Sequence, residues 1–216
     1  SLFKKRGGRW EVKPGMREKM ELFVRNSNRF QFKRLHEMGF TPNEYRESMI
    51  YYFENGITDH LAYGAIVNVK NPYSEKYPAG GVTALTDGLR GTNDYHFNWL
   101  GFEGHELDAV VVLDGTNLVK NISVNFLQDA KSWVWVPHSV EFFGSPDGVN
   151  YKHLKSVKKK TGEHNYEKII ETFSTTIENN QLQFIRITTQ SFIECPQWHL
   201  GAGGKAWIFA DEIIVE

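Results

Sequence analysis

Trp207-Ile208-Phe209-Ala210-Asp211-Glu212-Ile213-Ile214-Val215, the last apolar run of the 216-residue chain, reads as a buried β-strand whose alternation is interrupted by two adjacent carboxylates. Far upstream, Ala84-Leu85-Thr86-Asp87-Gly88-Leu89-Arg90-Gly91-Thr92 reads as a loop with one carboxylate, glycines that permit sharp turning, and a hydroxyl five residues after the acid. Hard oxygen ligands at both ends of a domain are the donors calcium takes. The two runs are therefore expected to meet as halves of one site, clasping a β-sandwich around an ion.

Between these runs the pattern is that of strands. Val67 and Val69 alternate with Asn68 and Lys70, and apolar runs follow at 107–113, 119–126, 139–143, 152–157, 167–172, 182–188 and 206–215. Ser145-Pro146-Asp147-Gly148 carries proline and glycine where a tight turn needs them, while Asp114-Gly115 and Glu178-Asn179-Asn180 mark further strand ends. Seven or eight strands without interleaved helices describe a mainly β chain, a sandwich or jelly roll. Upstream the reading is helical. Apolar residues from Met16 to Met38 follow a broken helical period, and Thr41, Pro42 and Glu44 make the capping signature of a second helix ending at Gly56, with Tyr45, Met49, Tyr52 and Phe53 as its buried stripe. The chain accordingly divides into a helical N-terminal extension, or the end of a preceding domain, over 1–60, and a β-sandwich over 61–216.

Composition removes several function classes. A net charge of -1 leaves no electrostatic reason for nucleic acid or anionic membrane, and no apolar stretch approaches the 18 residues that would span a bilayer. The single cysteine, Cys195, excludes an internal disulfide, so packing, with or without a metal, must hold the fold. No His-Glu-x-x-His pair, Gly-x-Ser-x-Gly elbow or Cys-x-x-Cys is present, and Gly201-Ala202-Gly203-Gly204 leads into a strand instead of opening a helix. The chain reads as a non-enzyme, an ancillary domain of something larger.

The stretch from about Ile66 to Glu216 resembles the galactose-binding-like jelly roll of the discoidin, or factor V/VIII type C, superfamily. More narrowly it is similar to carbohydrate-binding module family 32 and to C-terminal modules of β-hexosaminidases and related glycoside hydrolases of Bacteroidetes. The residues that carry the likeness are Lys76-Tyr77-Pro78-Ala79-Gly80-Gly81, 85–91, Phe126-Leu127-Gln128-Asp129 with Ser132-Trp133 and Pro137, 145–148, and Pro196-Gln197-Trp198-His199-Leu200-Gly201-Ala202-Gly203 running into 206–213. The resemblance implies a structural calcium held by the carboxylates of Asp87 and Glu212, the hydroxyl and carbonyl of Thr92, and the carbonyls of Ala84, Leu89 and Asp211. The alternative is that Asp87 caps a turn and Glu212 pairs with Arg90, with no metal bound.

The resemblance further implies a carbohydrate ligand on loops at one end of the sandwich, where an aromatic face stacks on a sugar and polar groups orient it. Three loops have that composition: 93–99, 128–135 and 194–199. From them come the expected sugar contacts Trp133, Trp198, His199, Trp99, Asn98, His96 and Lys131, whereas Trp135 and Trp207 sit in apolar alternation and are expected in the core. Trp99 is equally expected as a lid on the metal loop. The partners implied are a glycan and the attached catalytic domain of a parent glycoside hydrolase, with no nucleic acid and no membrane insertion, in a periplasmic, cell-surface or secreted bacterial setting. A structural or docking domain with no ligand of its own is the other reading.

Overall fold

The computed structural model describes residues 3–6 and 9–12 as backbone, and residues 59–96 and 98–216. The helices expected over 14–38 and 41–56 lie outside the described residues. Within the N-terminal 60 residues the described part is a hairpin of β1 (Phe3–Arg6) and β2 (Arg9–Val12), a form the helical reading did not include. The sequence between its strands, Gly7-Gly8, is the composition that two-residue hairpin loops favour.

From residue 66 the chain is built of β3 (Ile66–Val69), β4 (Ala79–Val82), β5 (Leu100–Glu103), β6 (Asp108–Gln128), β7 (Ser139–Ser145), β8 (Lys152–Lys158), β9 (Ile169–Gln190) and β10 (Trp207–Val215). The long strands β6 and β9 pair antiparallel along almost their whole length, forming a ribbon that breaks register twice, between Val112 and Asn117 and between Val119 and Asn121. One half of this ribbon carries β3 against 109–112 and β7, then β8, against 184–190. The other half carries β10 against 122–127, and β5 against β10. A single apolar cluster takes Ala109, Val111, Val140, Phe142, Ile185 and Ile187 from the first half and Ile122, Val124, Phe126, Phe173, Ile208 and Ile213 from the second. The two halves are thus the facing layers of a sandwich, and the mainly β fold expected from the sequence is the one observed.

The register breaks explain how one strand serves both layers. Along β6 the core-cluster positions are 109, 111, 113 and 119 up to the second register break and 122, 124 and 126 after it, a change from odd to even phase. In a period-two strand only an irregularity can move the inward set from one phase to the other. The first break is a corner made by exposed Asp114-Gly115-Thr116, with Gly115 in the left-handed region at φ +71°, and the phase itself changes at the second, between Val119 and Asn121. The sequence reading ended strands at Asp114-Gly115 and at Glu178-Asn179-Asn180. Instead, pairing resumes beyond both, with Asn117 to Val119 opposite Asn180 to Leu182, so four expected strands become two. Conversely, β4 and β5 are short strands that the sequence reading did not include, β5 pairing antiparallel with β10.

Phe126 is fully buried and meets the Phe173 ring edge-on at 5.5 Å across the β6–β9 ladder. Phe126→Ala is expected to destabilise the sandwich by about 3–5 kcal/mol. Chemical denaturation checks this, with the midpoint falling and the slope unchanged.

Candidate functional site

The strand β10 departs from regular pairing at its two carboxylates. Ala210 is opposite Phe126 and Ile213 opposite Val124, so Asp211 and Glu212 together face only Asn125, a β-bulge. Neighbouring residues of a flat strand point to opposite faces. Here the bulge lets both acids reach the 84–92 loop: the Gly88 N–H donates to Glu212 Oε2 and the Gly91 N–H to Asp211 Oδ2, each at 2.9 Å. Asn125 Nδ2 adds a longer bond to Asp211 Oδ2 at 3.4 Å. The expected meeting of the two runs is observed at the level of the backbone and the carboxylates.

The loop is itself interior. Ala84 to Leu89 are all buried, and a 3-10 turn over Thr83–Leu85 leads into Asp87, whose Oδ1 accepts the Leu89 N–H at 2.9 Å. Thr86 ties the loop to the segment before β3, its hydroxyl donating to the Ala65 carbonyl at 3.0 Å and its carbonyl accepting from the Gly64 N–H at 2.7 Å. That segment brings in a residue the sequence reading missed. His60 Nε2 lies 2.9 Å from Glu212 Oε1, with both side chains fully buried, while the Val215 N–H points at His60 Nδ1 at 3.4 Å. The Nδ1 atom therefore accepts, and Nε2–H donates to the carboxylate. Glu212 takes His60 as its partner where the metal-free alternative paired it with Arg90, whose residue is exposed. A lone histidine six residues before β3 carries no local signal.

Three buried carboxylates in one place shift one another. Burial lifts Asp87 and Glu212 well above the ordinary carboxylate range, with Asp211 adding to the first and Asp87 to the second. Asp211 is pushed up to about 7, by burial first, against the bonds it accepts from Gly91 and Asn125. Its second oxygen, Oδ1, is buried without a hydrogen-bond partner among the described residues. Tyr63 nearby is raised to about 12 by burial and by the same acids. The other expected calcium donors are placed differently. The Ala84 and Leu89 carbonyls lie in the buried loop, but Thr92 gives its carbonyl to Trp99 Nε1 at 2.7 Å and its hydroxyl accepts the Asp94 N–H at 3.1 Å. Among the described residues no group of three His, Cys, Asp or Glu side chains is arranged to hold a metal. Any cation here would have to rely on main-chain oxygens beside one or two carboxylates.

The second candidate region is the loop end. Trp133 is 40% exposed and sits in the left-handed region (φ +65°) just after a 3-10 turn over Ala130–Ser132, a conformation that costs a non-glycine residue of order 1 kcal/mol. Its backbone is pinned by the Trp207 N–H, which donates to the Trp133 carbonyl at 2.8 Å. Its ring lies on the glycine run that the sequence reading could only reject as a phosphate loop: a Cβ at Gly201 or Gly204 would stand 2.6–2.7 Å from the indole. Those two glycines are the bed of the exposed ring.

Beside it stand groups the sequence reading did not select. Tyr166, 39% exposed, stacks on His199 at 5.6 Å, and Trp198 meets the exposed His164 at 4.4 Å. Lys168 bonds Asp129 at 2.9 Å and lies 5.8 Å over the Tyr95 ring, joining the 129–133 and 93–98 loops. The expected sugar contacts divide accordingly. Trp133 and Lys131 are exposed; His96 is half-buried against Tyr95 and Asp94; Trp198 is half-buried with its Nε1 unpartnered among the described residues. Three are turned inward. Trp99 is 1% exposed beneath the 84–92 loop, where a Cβ on Gly91 would overlap its ring, and Asn98 is buried and donates to the Arg90 carbonyl at 3.3 Å. His199 is buried against Trp135 and accepts the Gly201 N–H at 3.0 Å, so it braces the glycine run from below. Trp135 and Trp207 are core residues, as their alternation implied.

No family model matches the chain, and no curated protein matches it. Solved structures do. The chain is similar to chitosan-binding module 1 of a chitosanase/glucanase from Paenibacillus sp. IK-5, at 14% identity and a TM-score of 0.48 over 73% of this chain and 98% of that one. It is similar to CpGH89CBM32-5 from Clostridium perfringens, solved with GalNAc-β-1,3-galactose, at 13% identity and 0.48 over 73% and 99%. It is also similar to a fucose-binding module of Streptococcus pneumoniae, at 14% identity and 0.48 over 72% and 93%.

The raised carboxylates set a pH dependence whose sign is fixed. A carboxylate whose folded pKa exceeds its unfolded value of about 4 stabilises the fold below that value and loses the contribution as pH rises through the folded pKa. In chelator, the melting temperature is expected to fall between about pH 4.5 and pH 7.5, and Asp211→Asn to flatten the upper part of that fall. Melts across the window check it; a rise with pH would contradict the electrostatics of the clamp.

Proposed function

We propose that this chain is a non-catalytic carbohydrate-binding module of a larger glycan-degrading protein, its sandwich closed by a structural calcium. The observation that carries the binding reading is the Trp133 platform. A rigid aromatic face is held half in solvent by a left-handed backbone, two glycines and the start of β10. Keeping such a ring exposed in a core-forming chain is costly, and stacking on the C–H face of a sugar is what an exposed, immobilised indole does well. Tyr166 offers a second half-exposed ring, and Lys131, His164 and Lys168 supply donors around it. Donors of this kind orient hydroxyls without needing to ionise or transfer a proton.

The donor chemistry of the clamp fits calcium. Asp87 and Glu212 supply carboxylate oxygens, and the carbonyls of Ala84 and Leu89 lie buried in the curled loop, accepting no hydrogen bond among the described residues. Asp211 keeps one oxygen unpartnered. An ion there would offset the burial that lifts these carboxyls, and the repulsion that adds to it at Asp87 and Glu212. With Thr92 turned to Trp99 and Asp94, the set narrows to the carboxylates of Asp87 and Glu212 and the carbonyls of Ala84, Leu89 and Asp211. The parent enzyme and an extracytoplasmic setting belong to the same proposal.

A glycan array read with the wild type and Trp133→Ala tests the binding reading. The substitution is expected to weaken the best ligand at least about tenfold while leaving the melting temperature close to wild type. Absence of binding in both proteins would favour the docking-domain alternative. For the ion, calcium at about 100 times its Kd should raise the melting temperature of the chelated protein by about 5–10 °C. Asp87→Asn should abolish that rise; an unchanged melt on adding calcium would remove the metal from the account.

A further inference from the structure

The chain has 25 basic and 26 acidic side chains, yet five of its lysines fall within nine residues, Lys152, Lys155, Lys158, Lys159 and Lys160. The structure places the first three on β8, the outermost strand of the β5-β10-β6-β9-β7-β8 order, and the others directly after it. Lys152, Lys155, Lys158 and Lys160 are exposed. Among the described residues, the ion pairs made by lysine or arginine are Lys76–Glu103, Lys168–Asp129 and Arg186–Asp108, so none of the five ammonium groups has a carboxylate partner.

Three of the acids around the strip are engaged elsewhere, leaving exposed Glu163, three residues past Lys160, as the one beside it among the described residues. Glu141 takes His153 and the Ser156 hydroxyl. Asp147 accepts the N–H groups of Val149 and Asn150 within its own turn. Glu171, itself buried, accepts the Lys160 and Thr161 N–H groups and the Thr161 hydroxyl. At about 3.3 Å per residue, Lys152 to Lys158 spans about 20 Å. Their backbone positions follow one another at about 10 Å along the edge, and with side chains alternating in direction the cations flank that edge on both sides, near enough to a Debye length for their potentials to overlap. Edge lysines also keep a sheet from pairing with another, but that role needs one or two charges and does not account for the run continuing past the strand.

We infer that the β8 edge and its continuation to Lys160 form a second binding strip, separate from the loop platform, for an extended anionic polysaccharide bearing sulfate or carboxylate groups. Affinity there comes from releasing the counterions that the aligned charges hold, so it is steeply salt-dependent and tolerant of sequence in the polymer. A linear acidic glycan fits better than nucleic acid. The strip presents no row of aromatic faces for bases to stack on, and the rest of the chain, which leaves a net charge of -1, opposes a wide polyanion. The segment after Lys160 leads to His164 and Tyr166, so the strip runs toward the platform, although binding on it does not require a sugar seated there.

The full chain is titrated against immobilised dextran sulfate, neutral dextran and duplex DNA at about 50 and about 200 mM salt. The probes are the wild type, Lys152→Gln/Lys155→Gln/Lys158→Gln, and an equal-charge control, Lys70→Gln/Lys120→Gln/Lys205→Gln. Dextran sulfate is expected to bind the wild type, with the strip variant weakened at least about tenfold at low salt and its salt dependence shallower by about 2–3 in log–log slope. The control should change less than about threefold, and Trp133→Ala should bind dextran sulfate as the wild type does, which separates this strip from the platform. Single Lys155→Gln should show an intermediate loss, should the triple variant melt early. Equal losses in strip and control variants, equal binding to neutral dextran, or tighter binding to DNA than to dextran sulfate would overturn the inference.

Discussion

The bulge of β10 at Asp211-Glu212 is the constraint from which the rest of the structure follows. Two adjacent acids on a fully buried strand would ordinarily split between faces and leave at least one ionisable group stranded in the core. By opposing both to Asn125, the bulge turns them to the same loop, where the N–H groups of Gly88 and Gly91 receive them. The loop gains partners for its own buried donors in return. Closing segment and early loop are thereby held together across more than a hundred residues of chain.

The clamp is electrostatically incomplete as protein alone. His60 and main-chain donors meet part of the charge, but Asp87, Asp211 and Glu212 remain raised by burial, with neighbouring acids adding to it at Asp87 and Glu212. A site of that kind stabilises the fold best when something discharges it, a proton or a cation. The same loop also sets the position of Trp99, whose indole closes over Gly91 and bonds Thr92, so the clamp and the aromatic cluster of Tyr77, Tyr95, Trp207 and Phe209 form one continuous piece of packing. Through the Trp207 N–H that piece reaches the Trp133 carbonyl, and the exposed ring inherits its rigidity from the buried end of β10. The lysine edge lies on the other layer, outside this packing, which is why its charges are left to solvent or to a partner.

Much of this was legible in sequence, and the limits of legibility have physical causes. Period-two alternation identified β7, β8 and β10 closely, because burial of one face leaves a local signature. It could not foresee that β6 and β9 each run through a corner, since pairing after a bend depends on the opposite strand. The glycine run 201–204 was legible only as a stretch that does not make a phosphate loop, and its use became plain when the Trp133 ring was found on Gly201 and Gly204. His60 and Tyr166 carried no motif at all.

The sequence by itself determined a mainly β chain, the convergence of the 84–92 loop with the last strand, and the burial of Trp135 and Trp207, all consequences of residue type and spacing along one segment. Tertiary structure alone decided which loop aromatics face water. Trp99 and Trp133 have similar surroundings in the chain, one lying under a glycine and the other on top of two, and exposure is set by what distant segments leave uncovered. It likewise decided that both acids of β10 point one way, because the direction of a side chain at a bulge is fixed by the strand opposite and not by its own neighbours.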